Sequence, residues 1–168
     1  MQTKAMAKGE YLLKEGQVSE TTYFVLEGCI REFILSDGEE NTTNFFFEEQ
    51  WAISLSSLST NKPATHNWVC IEDTTVVVGN EQQAQELFKE FPRFETISRT
   101  IMEAAFAEQK EALTTYYTDS PEQRYCKLLK SKPGLVQRIP QYHLASYIGI
   151  KPESLSRIRK RISSSPSE

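Results

Sequence analysis

Between residues 9 and 78, the apolar positions fall into short runs rich in aromatic and β-branched residues, with turn residues between them. Such runs are typical of strands. The runs are Tyr11–Leu13, Thr22–Leu26, Ile30–Leu35, Thr42–Phe47, Asn67–Ile71 and Thr74–Val78. Separate hairpins cannot bury so many aromatic residues, so we predict one small antiparallel β-roll or sandwich.

After Gly79 the apolar spacing changes to the three- and four-residue intervals of helices. A short helix is predicted over Glu81–Glu90, and a longer one from Pro92 to about Tyr117. One face of the longer helix carries Phe94, Ile97, Ile101, Ala104, Ala105, Glu108 and Ala112. This stripe either packs on the roll or pairs with a second copy of the chain. We favour a parallel two-helix dimer seam, because the stripe continues beyond what a small roll can cover.

A hinge at Thr118 and Asp119 precedes the last predicted unit. Ser120-Pro121-Glu122-Gln123 has the pattern of a capping box, and it predicts a helix from Pro121 to about Ser131. Pro133-Gly134 is expected to end this helix, and Leu135–Ile139 is expected to be extended.

The stretch from Ile139 to Ile162 predicts two short helices around a turn at Gly149. The second helix has an inward stripe of Leu155, Ile158 and Ile162, and its opposite face carries Ser154, Arg157, Lys160 and Arg161. A helix of this diameter fits the major groove of DNA. A solvated surface helix has the same pattern. The glycine turn and the additional upstream helix favour a DNA-binding unit of the helix-turn-helix class.

Charge separates the two parts of the chain. The 168 residues have a net charge of -4, but residues 119–168 hold ten basic and four acidic residues, a balance of +6. The preceding residues hold nine basic and nineteen acidic ones, a balance of -10. Only the basic part would release counterions from DNA. We predict a sensor roll at 1–80, connecting and dimerisation helices at 81–118, and a DNA-binding domain at 119–168.

Several kinds of chemistry are not expected. Cys29, Cys70 and Cys126 are far apart, which predicts reduced core cysteines rather than disulfides or a metal site. No run approaches the roughly 20 apolar residues of a membrane span, and the N-terminus lacks the apolar core of a signal peptide, so we expect a cytoplasmic protein without a membrane partner. A β-roll metal enzyme needs several converging ligands, and His66 is the single histidine of the roll, so no catalytic or metal-binding residue is predicted.

The order of these motifs resembles the Crp/Fnr family of bacterial transcription regulators, of the cyclic-AMP receptor protein type. The resemblance covers nearly the whole chain. It is carried by KGEYLLKEGQ at 8–17, YFVLEGCIREF at 23–33, the helix after Pro92, SPEQRYCKLL, and LASYIGIKPESLSRIRKRI. The ending is similar to a short form of the family that is common in Bacteroidetes, and the N-terminus is expected to be shortened.

The resemblance implies an α+β fold. Its parts would be an antiparallel jelly-roll like a cyclic nucleotide-binding domain, a long dimerisation helix, and a C-terminal helix-turn-helix domain of winged-helix type. The active unit would be a homodimer on double-stranded DNA, with RNA polymerase as a candidate partner. At matching positions, base edges would be approached by Glu153, Ser154 and Arg157, and phosphates by Gln141, Lys151, Lys160 and Arg161. Lys151 stands where a Ser or Thr cap is usual, so we expect fraying there without DNA.

The sensor departs from the family pattern, which has a Gly-Glu pair for the ribose and an Arg-Ser or Arg-Thr pair for the cyclic phosphate. The segment 45–69, FFFEEQWAISLSSLSTNKPATHNWV, contains neither pair. A phosphate without a paired cation is disfavoured, so we do not expect cyclic AMP and predict no cofactor. Residues 48–66 are predicted to form a long loop. A candidate effector pocket comprises Tyr23, Phe46, Trp51, Lys62, Thr65, His66 and Trp68, although ordinary core packing explains its aromatic members equally well.

Two functions from different classes fit these features. The favoured one is a dimeric, sequence-specific transcription regulator without a normal cyclic-nucleotide site. The alternative is a ligand-binding module, with cyclic nucleotides among its candidate ligands, whose helical tail contacts a protein partner.

Overall fold

The computed structural model describes residues 2–164, which divide into two compact units between Thr100 and Ile101. The strands are β1 (Gln2–Met6), β2 (Tyr11–Leu13), β3 (Thr22–Glu27), β4 (Ile30–Ser36), β5 (Glu39–Phe46), β6 (Trp51–Ala52), β7 (Asn67–Cys70) and β8 (Thr74–Gly79). The helices are α1 (Leu55–Thr60), α2 (Glu81–Glu90), α3 (Arg93–Thr118), α4 (Pro121–Ser131), α5 (Pro133–Arg138), α6 (Gln141–Ile148) and α7 (Pro152–Ser164).

The first unit contains two four-stranded antiparallel sheets. Their strand orders are β1-β8-β3-β6 and β2-β7-β4-β5. The inner faces of both sheets contribute to one core, which consists of Met6, Leu13, Val25, Ile30, Phe46, Ala52, Ala64, Trp68, Cys70 and Val76. The predicted antiparallel roll and the α+β class are thereby confirmed.

Two strands escaped prediction because neither has a strand-like pattern of its own. In β1 only Met6 is buried, and the strand is held by its pairing with β8, in which Lys4 lies opposite Val76. Strand β6 has two residues and pairs with Tyr23 and Phe24 of β3. Both strands depend on partners that lie far away in the sequence.

The prediction of a long loop at 48–66 is wrong, because this segment contains β6 and α1. Serine favours helix interiors only weakly, so a serine-rich stretch gives little helical signal. Contacts outside the helix hold α1. The buried Ser57 hydroxyl accepts a hydrogen bond from the Ser19 N–H at 2.8 Å and donates one to the Lys62 carbonyl oxygen at 2.5 Å. Asn61 then ends α1 in the left-handed conformation, with φ of 54°.

The prediction of an extended stretch at Leu135–Ile139 is also wrong, because α5 begins immediately after α4. Pro133 occupies the first turn of α5, where a missing N–H leaves no helical hydrogen bond unmade. Leu135 and Val136 are buried, and Ile139 alone has extended geometry at the end of the helix. The proline therefore starts a new helix as well as ending the previous one.

Local signals at the other C-terminal helices are confirmed. The Ser120 hydroxyl accepts from the Gln123 N–H at 3.3 Å, and the Gln123 side chain accepts from the Ser120 N–H at 2.8 Å, which completes the capping box. Gly149 has φ of +80° and ends α6. Leu155 and Ile158 of α7 are buried as predicted, and they meet three buried residues of α6, Leu144, Ala145 and Ile148. Ile162 is half-buried.

Candidate functional site

The outer face of α7 carries several charged side chains that have no partner among residues 2–164. Glu153, Arg157, Arg159 and Lys160 are exposed, and their side chains make no hydrogen bond or ion pair with any residue in 2–164. Ser154 is half-buried at the start of the same helix. Glu153 is acidic in the first turn, where the helix dipole favours a negative charge. This face is therefore available to an external ligand.

Two of the predicted phosphate-contacting residues have partners within the helical unit. The Gln141 side-chain amide donates to the Ser156 hydroxyl at 3.0 Å and to the Pro152 carbonyl oxygen at 3.3 Å. These bonds join the start of α6 to the first turns of α7. Arg161 Nη1 lies 3.3 Å from Glu122 Oε2, which joins the end of α7 to α4. Both contacts hold α7 in place, and sequence spacing gave no sign of them.

Lys151 is another predicted phosphate-contacting residue, and it is exposed immediately before α7. Its carbonyl oxygen accepts the first helical hydrogen bonds, from Ser154 N at 3.0 Å and Leu155 N at 3.2 Å. A lysine side chain cannot accept a bond from the remaining N–H groups of the first turn. Lys151 therefore does not cap the helix through its side chain, which is exposed to solvent.

The predicted seam lies on α3, a helix of 26 residues in which no described residue is buried. Its larger apolar side chains are well exposed, at 44% for Phe94, 51% for Ile97 and 43% for Ile101. The remaining predicted seam residues are also exposed: Ala104, Ala105, Glu108 and Ala112. Glu108 has an internal partner, because its Oε1 lies 2.5 Å from Lys132 Nζ.

Four of the predicted pocket residues meet inside the roll, around Trp68. The rings of Tyr23, Phe46 and His66 lie 6.1, 5.9 and 5.3 Å from the Trp68 ring, measured between centroids. Trp68 is completely buried and belongs to the core. The other three predicted members lie elsewhere. Trp51 pairs with Phe24, on the face of β3 opposite to Tyr23, and both Lys62 and Thr65 are exposed.

Glu32 is the member of this cluster that we did not predict. It lies opposite Trp68 across β4 and β7, so its side chain points to the inner face of the roll. Its carboxylate accepts hydrogen bonds from Thr43 Oγ1 at 2.7 Å and Trp68 Nε1 at 2.9 Å. His66 Nε2 lies 3.8 Å away, buried and without a hydrogen-bond partner among residues 2–164. The alternation of β4 from the inward Ile30 would have placed Glu32 inside.

Arg31 precedes Glu32 and points to the opposite face of the sheet. It is the single arginine before position 93. Its guanidinium donates to Thr42 Oγ1 at 2.8 Å and to Glu40 Oε2 at 2.5 Å, and it lies 4.5 Å from the centre of the Phe33 ring. With the side chain 2% exposed, this charge is committed to structural contacts.

Two of the cysteines are buried, and no metal cluster is found among residues 2–164. Cys29 and Cys70 are buried, and burial raises the pKa of the Cys70 thiol to about 11, so this thiol is protonated at neutral pH. Within residues 2–164, no three His, Cys, Asp or Glu side chains converge as a metal site would require. None of the helices in this range has both the length and the apolar character that crossing a membrane needs.

Comparisons with known proteins agree with this architecture. Residues 3–91, slightly more than half of the chain, match the cyclic nucleotide-binding domain family. The transcriptional activator protein Anr of Pseudomonas protegens is 21% identical over 171 residues, which cover 94% of this chain and 69% of Anr.

Two solved structures share the fold along most of the chain. FixK2 from Bradyrhizobium japonicum superposes with a TM-score of 0.82 at 15% identity, covering 97% of this chain and 84% of FixK2. A Eubacterium rectale protein assigned to the Crp/Fnr family of transcriptional regulators gives a TM-score of 0.72 at 17% identity, covering 96% of this chain and 77% of the other. The chain therefore belongs to the cyclic nucleotide-binding domain family and has the fold of the Crp/Fnr transcription regulators, as its motifs predicted.

Proposed function

We propose that this protein is a dimeric regulator that binds double-stranded DNA with sequence specificity through α7. The carrying observation is that four charged side chains on the outer face of α7, those of Glu153, Arg157, Arg159 and Lys160, are exposed and have no partner within residues 2–164. An arginine can donate two hydrogen bonds to a guanine edge, and a glutamate can accept one from cytosine. In this proposal Glu153, Ser154 and Arg157 contact bases, and Lys151 and Lys160 contact phosphates.

Two further residues act in this proposal mainly by placing α7. Gln141 and Arg161 hold its two ends through Ser156 and Glu122. Arg161 keeps its predicted phosphate contact in this proposal alongside its ion pair with Glu122. Gln141 has less capacity, because its amide nitrogen already serves two acceptors.

The proposed dimer rests on α3. Phe94, Ile97 and Ile101 are between 43% and 51% exposed, and a second copy of α3 would cover them. A two-fold dimer of helix-turn-helix units places its recognition helices at half-sites about 10 base pairs apart. The expected target is therefore a palindromic duplex. This proposal includes action in the cytoplasm, RNA polymerase as a candidate partner, and no catalytic role.

A cyclic nucleotide, the ligand implied by the family, does not fit the residues of this roll. Its cyclic phosphate is an anion, whereas the inner face presents the Glu32 carboxylate beside Trp68. Arg31 cannot compensate, because it lies on the other face with Glu40 and Thr42 as partners. A buried phosphate without a cation would be strongly destabilised. We therefore propose that the roll does not respond to cyclic AMP.

The deciding experiment is selection of bound duplexes from a randomised DNA pool, followed by fluorescence anisotropy on the recovered sequences. We expect a palindromic consensus and an affinity that falls steeply as salt increases. Wild-type binding should be unchanged by cyclic AMP, and calorimetry should detect no heat of cyclic AMP binding. Failure to enrich any sequence, with the protein folded and dimeric, would contradict the DNA-binding proposal. Saturable cyclic AMP binding would contradict the proposal for the roll.

A further inference from the structure

The ring of Tyr116, in the last turns of α3, packs against the turn between α6 and α7. A Cβ atom added to Gly149 would lie 3.0 Å from the Tyr116 hydroxyl oxygen and 3.2 Å from Cε2. Gly149 also has φ of +80°, which disfavours any other residue. The glycine thus serves two purposes, because it forms the turn and leaves room for the Tyr116 ring beside it.

Arg124, in the first turns of α4, contacts the same tyrosine. Its Nη1 donates to the Tyr116 carbonyl oxygen at 2.7 Å and to the Asp119 carbonyl oxygen at 3.0 Å. These carbonyls lie at or just beyond the end of α3, where helical partners run out. The guanidinium carbon lies 4.8 Å from the centre of the Tyr116 ring, within range of a cation–π interaction. Arg124 therefore both caps α3 and holds the ring that touches Gly149.

Ion pairs lie along α3 on either side of this contact. Upstream, Glu108 pairs with Lys132 between α4 and α5, and downstream Asp119 Oδ2 lies 2.6 Å from Lys127 Nζ. Exposed pairs of this kind contribute little individually. Tyr116 combines several contacts: its ring lies beside Gly149 and the Arg124 guanidinium, and its carbonyl oxygen accepts a hydrogen bond from Arg124. The covalent link alone, Asp119 and Ser120 between α3 and α4, would leave the orientation of the following helices poorly fixed.

We infer that Tyr116 and Arg124 are positioning residues for DNA reading, which fix the helix-turn-helix on the end of α3 and so select the half-site spacing. The inference rests on the proposed function, in which α3 forms the dimer seam and α7 reads DNA. If α3 defines the two-fold axis, the contact from Tyr116 to Gly149 sets where each α7 lies relative to that axis. Without the contact, each helix-turn-helix would still read its half-site, but the pair would accept a range of separations.

The test measures anisotropy on duplexes that carry the two selected half-sites, with the spacer lengthened or shortened by one or two base pairs. A duplex with one half-site is the reference. Wild type should bind its best spacing at least about tenfold more tightly than the others, since rigid coupling concentrates the second unit at one position. Tyr116→Ala should lose about tenfold at the best spacing and bind all spacings within about threefold of one another. Its single half-site affinity should equal that of wild type.

The controls separate positioning from folding. Tyr116→Phe keeps the ring and should retain the wild-type spacing preference. Tyr117→Ala removes the neighbouring tyrosine, whose side chain is 79% exposed, and should behave like wild type. Arg124→Gln should reproduce the loss of preference while leaving the Tyr116 ring present. Circular dichroism melts and sedimentation identify any variant that is unfolded or monomeric.

Three outcomes would overturn the inference. The first is a Tyr116→Ala protein that keeps the wild-type preference, and the second is one that loses single half-site binding in parallel. The third is a wild-type protein that binds its half-sites specifically but accepts all spacings equally. Absence of sequence-specific binding by wild type is a different result, because it removes the proposed function itself.

Discussion

The inner face of the roll and the outer face of α7 both carry charged residues. Glu32 on the inner face has partners within the described part of the chain, whereas Arg157 and Lys160 on α7 do not. Glu32 is surrounded by Thr43, Trp68 and His66, and its carboxylate oxygens accept two hydrogen bonds from within the chain. Arg157 and Lys160 make no such contact in residues 2–164. Burying a charge is tolerated only with partners, whereas an exposed charge needs none. The presence of internal partners, and not the type of residue, therefore distinguishes the structural charge of Glu32 from the charges of α7 that are available for binding.

The largest effect is expected from Glu32→Ala, which removes the acceptor on the inner face. The indole N–H of the buried Trp68 would lose its acceptor, at a cost of about 2 kcal/mol in the free energy of unfolding, whereas the exposed Thr43 hydroxyl can bond to water instead. Urea denaturation followed by tryptophan fluorescence measures this loss. Glu39→Ala, at an exposed position of β5, should change stability by less than about 0.5 kcal/mol. Equal free energies of unfolding for the two variants would contradict the stabilising role of Glu32 on the inner face.

The next effect concerns Arg157, on the other side of the comparison. Arg157→Ala should weaken binding to the selected duplex by at least about 1 kcal/mol, roughly fivefold, and relax the preference at one base position. Lys160→Ala is the matched control. It should weaken all duplexes to a similar degree and reduce the slope of affinity against salt by about one. If Lys160→Ala relaxed the base preference and Arg157→Ala weakened all duplexes to a similar degree, the proposed roles of these two side chains would be reversed.

The smallest effect is expected at Asp119, which lies between α3 and α4 and is half-buried and paired with Lys127. The hydrogen bond from Lys127 lowers the pKa of the Asp119 carboxyl, partial desolvation opposes this, and Thr118 adds to the lowering. A lowered folded-state pKa stabilises the fold above the unfolded-state pKa, and this contribution disappears as pH falls through the folded-state value. Wild type should therefore exceed Asp119→Asn in melting temperature at neutral pH, and the difference should vanish in acid. A difference that is independent of pH would exclude this ion pair as its origin.

The parts of the fold that were predictable are those specified by neighbouring residues. The capping box at Ser120 and the turn at Gly149 depend on groups within a few positions, and the burial of Leu155 follows from helical spacing. The strands with alternating or continuous apolar residues were predicted for the same reason. The family resemblance extended these local signals to the whole chain.

What could not be predicted depends on residues distant in sequence. Helix α1 is anchored by Ser19, 38 positions before Ser57. Gln141 and Arg161 fit a phosphate-contacting pattern, yet the fold brings each to a partner in another helix. Glu32 was overlooked because a carboxylate on a strand is usually exposed. Alternation from Ile30 was a local sign of its inward position, but its partners Thr43 and Trp68 lie on other strands, and no local pattern specifies them.

Helix α3 begins in the first compact unit and ends in the second, without a break at Thr100. A chimera that joins this helical unit to another roll must therefore make its junction inside one continuous helix. Each residue inserted into a helix turns the side chains that follow it by about 100° around the helix axis. A single insertion at the junction would divide the one stripe that runs from Phe94, Ile97 and Ile101 to Ala112, whereas an insertion of whole turns would keep that stripe on one face.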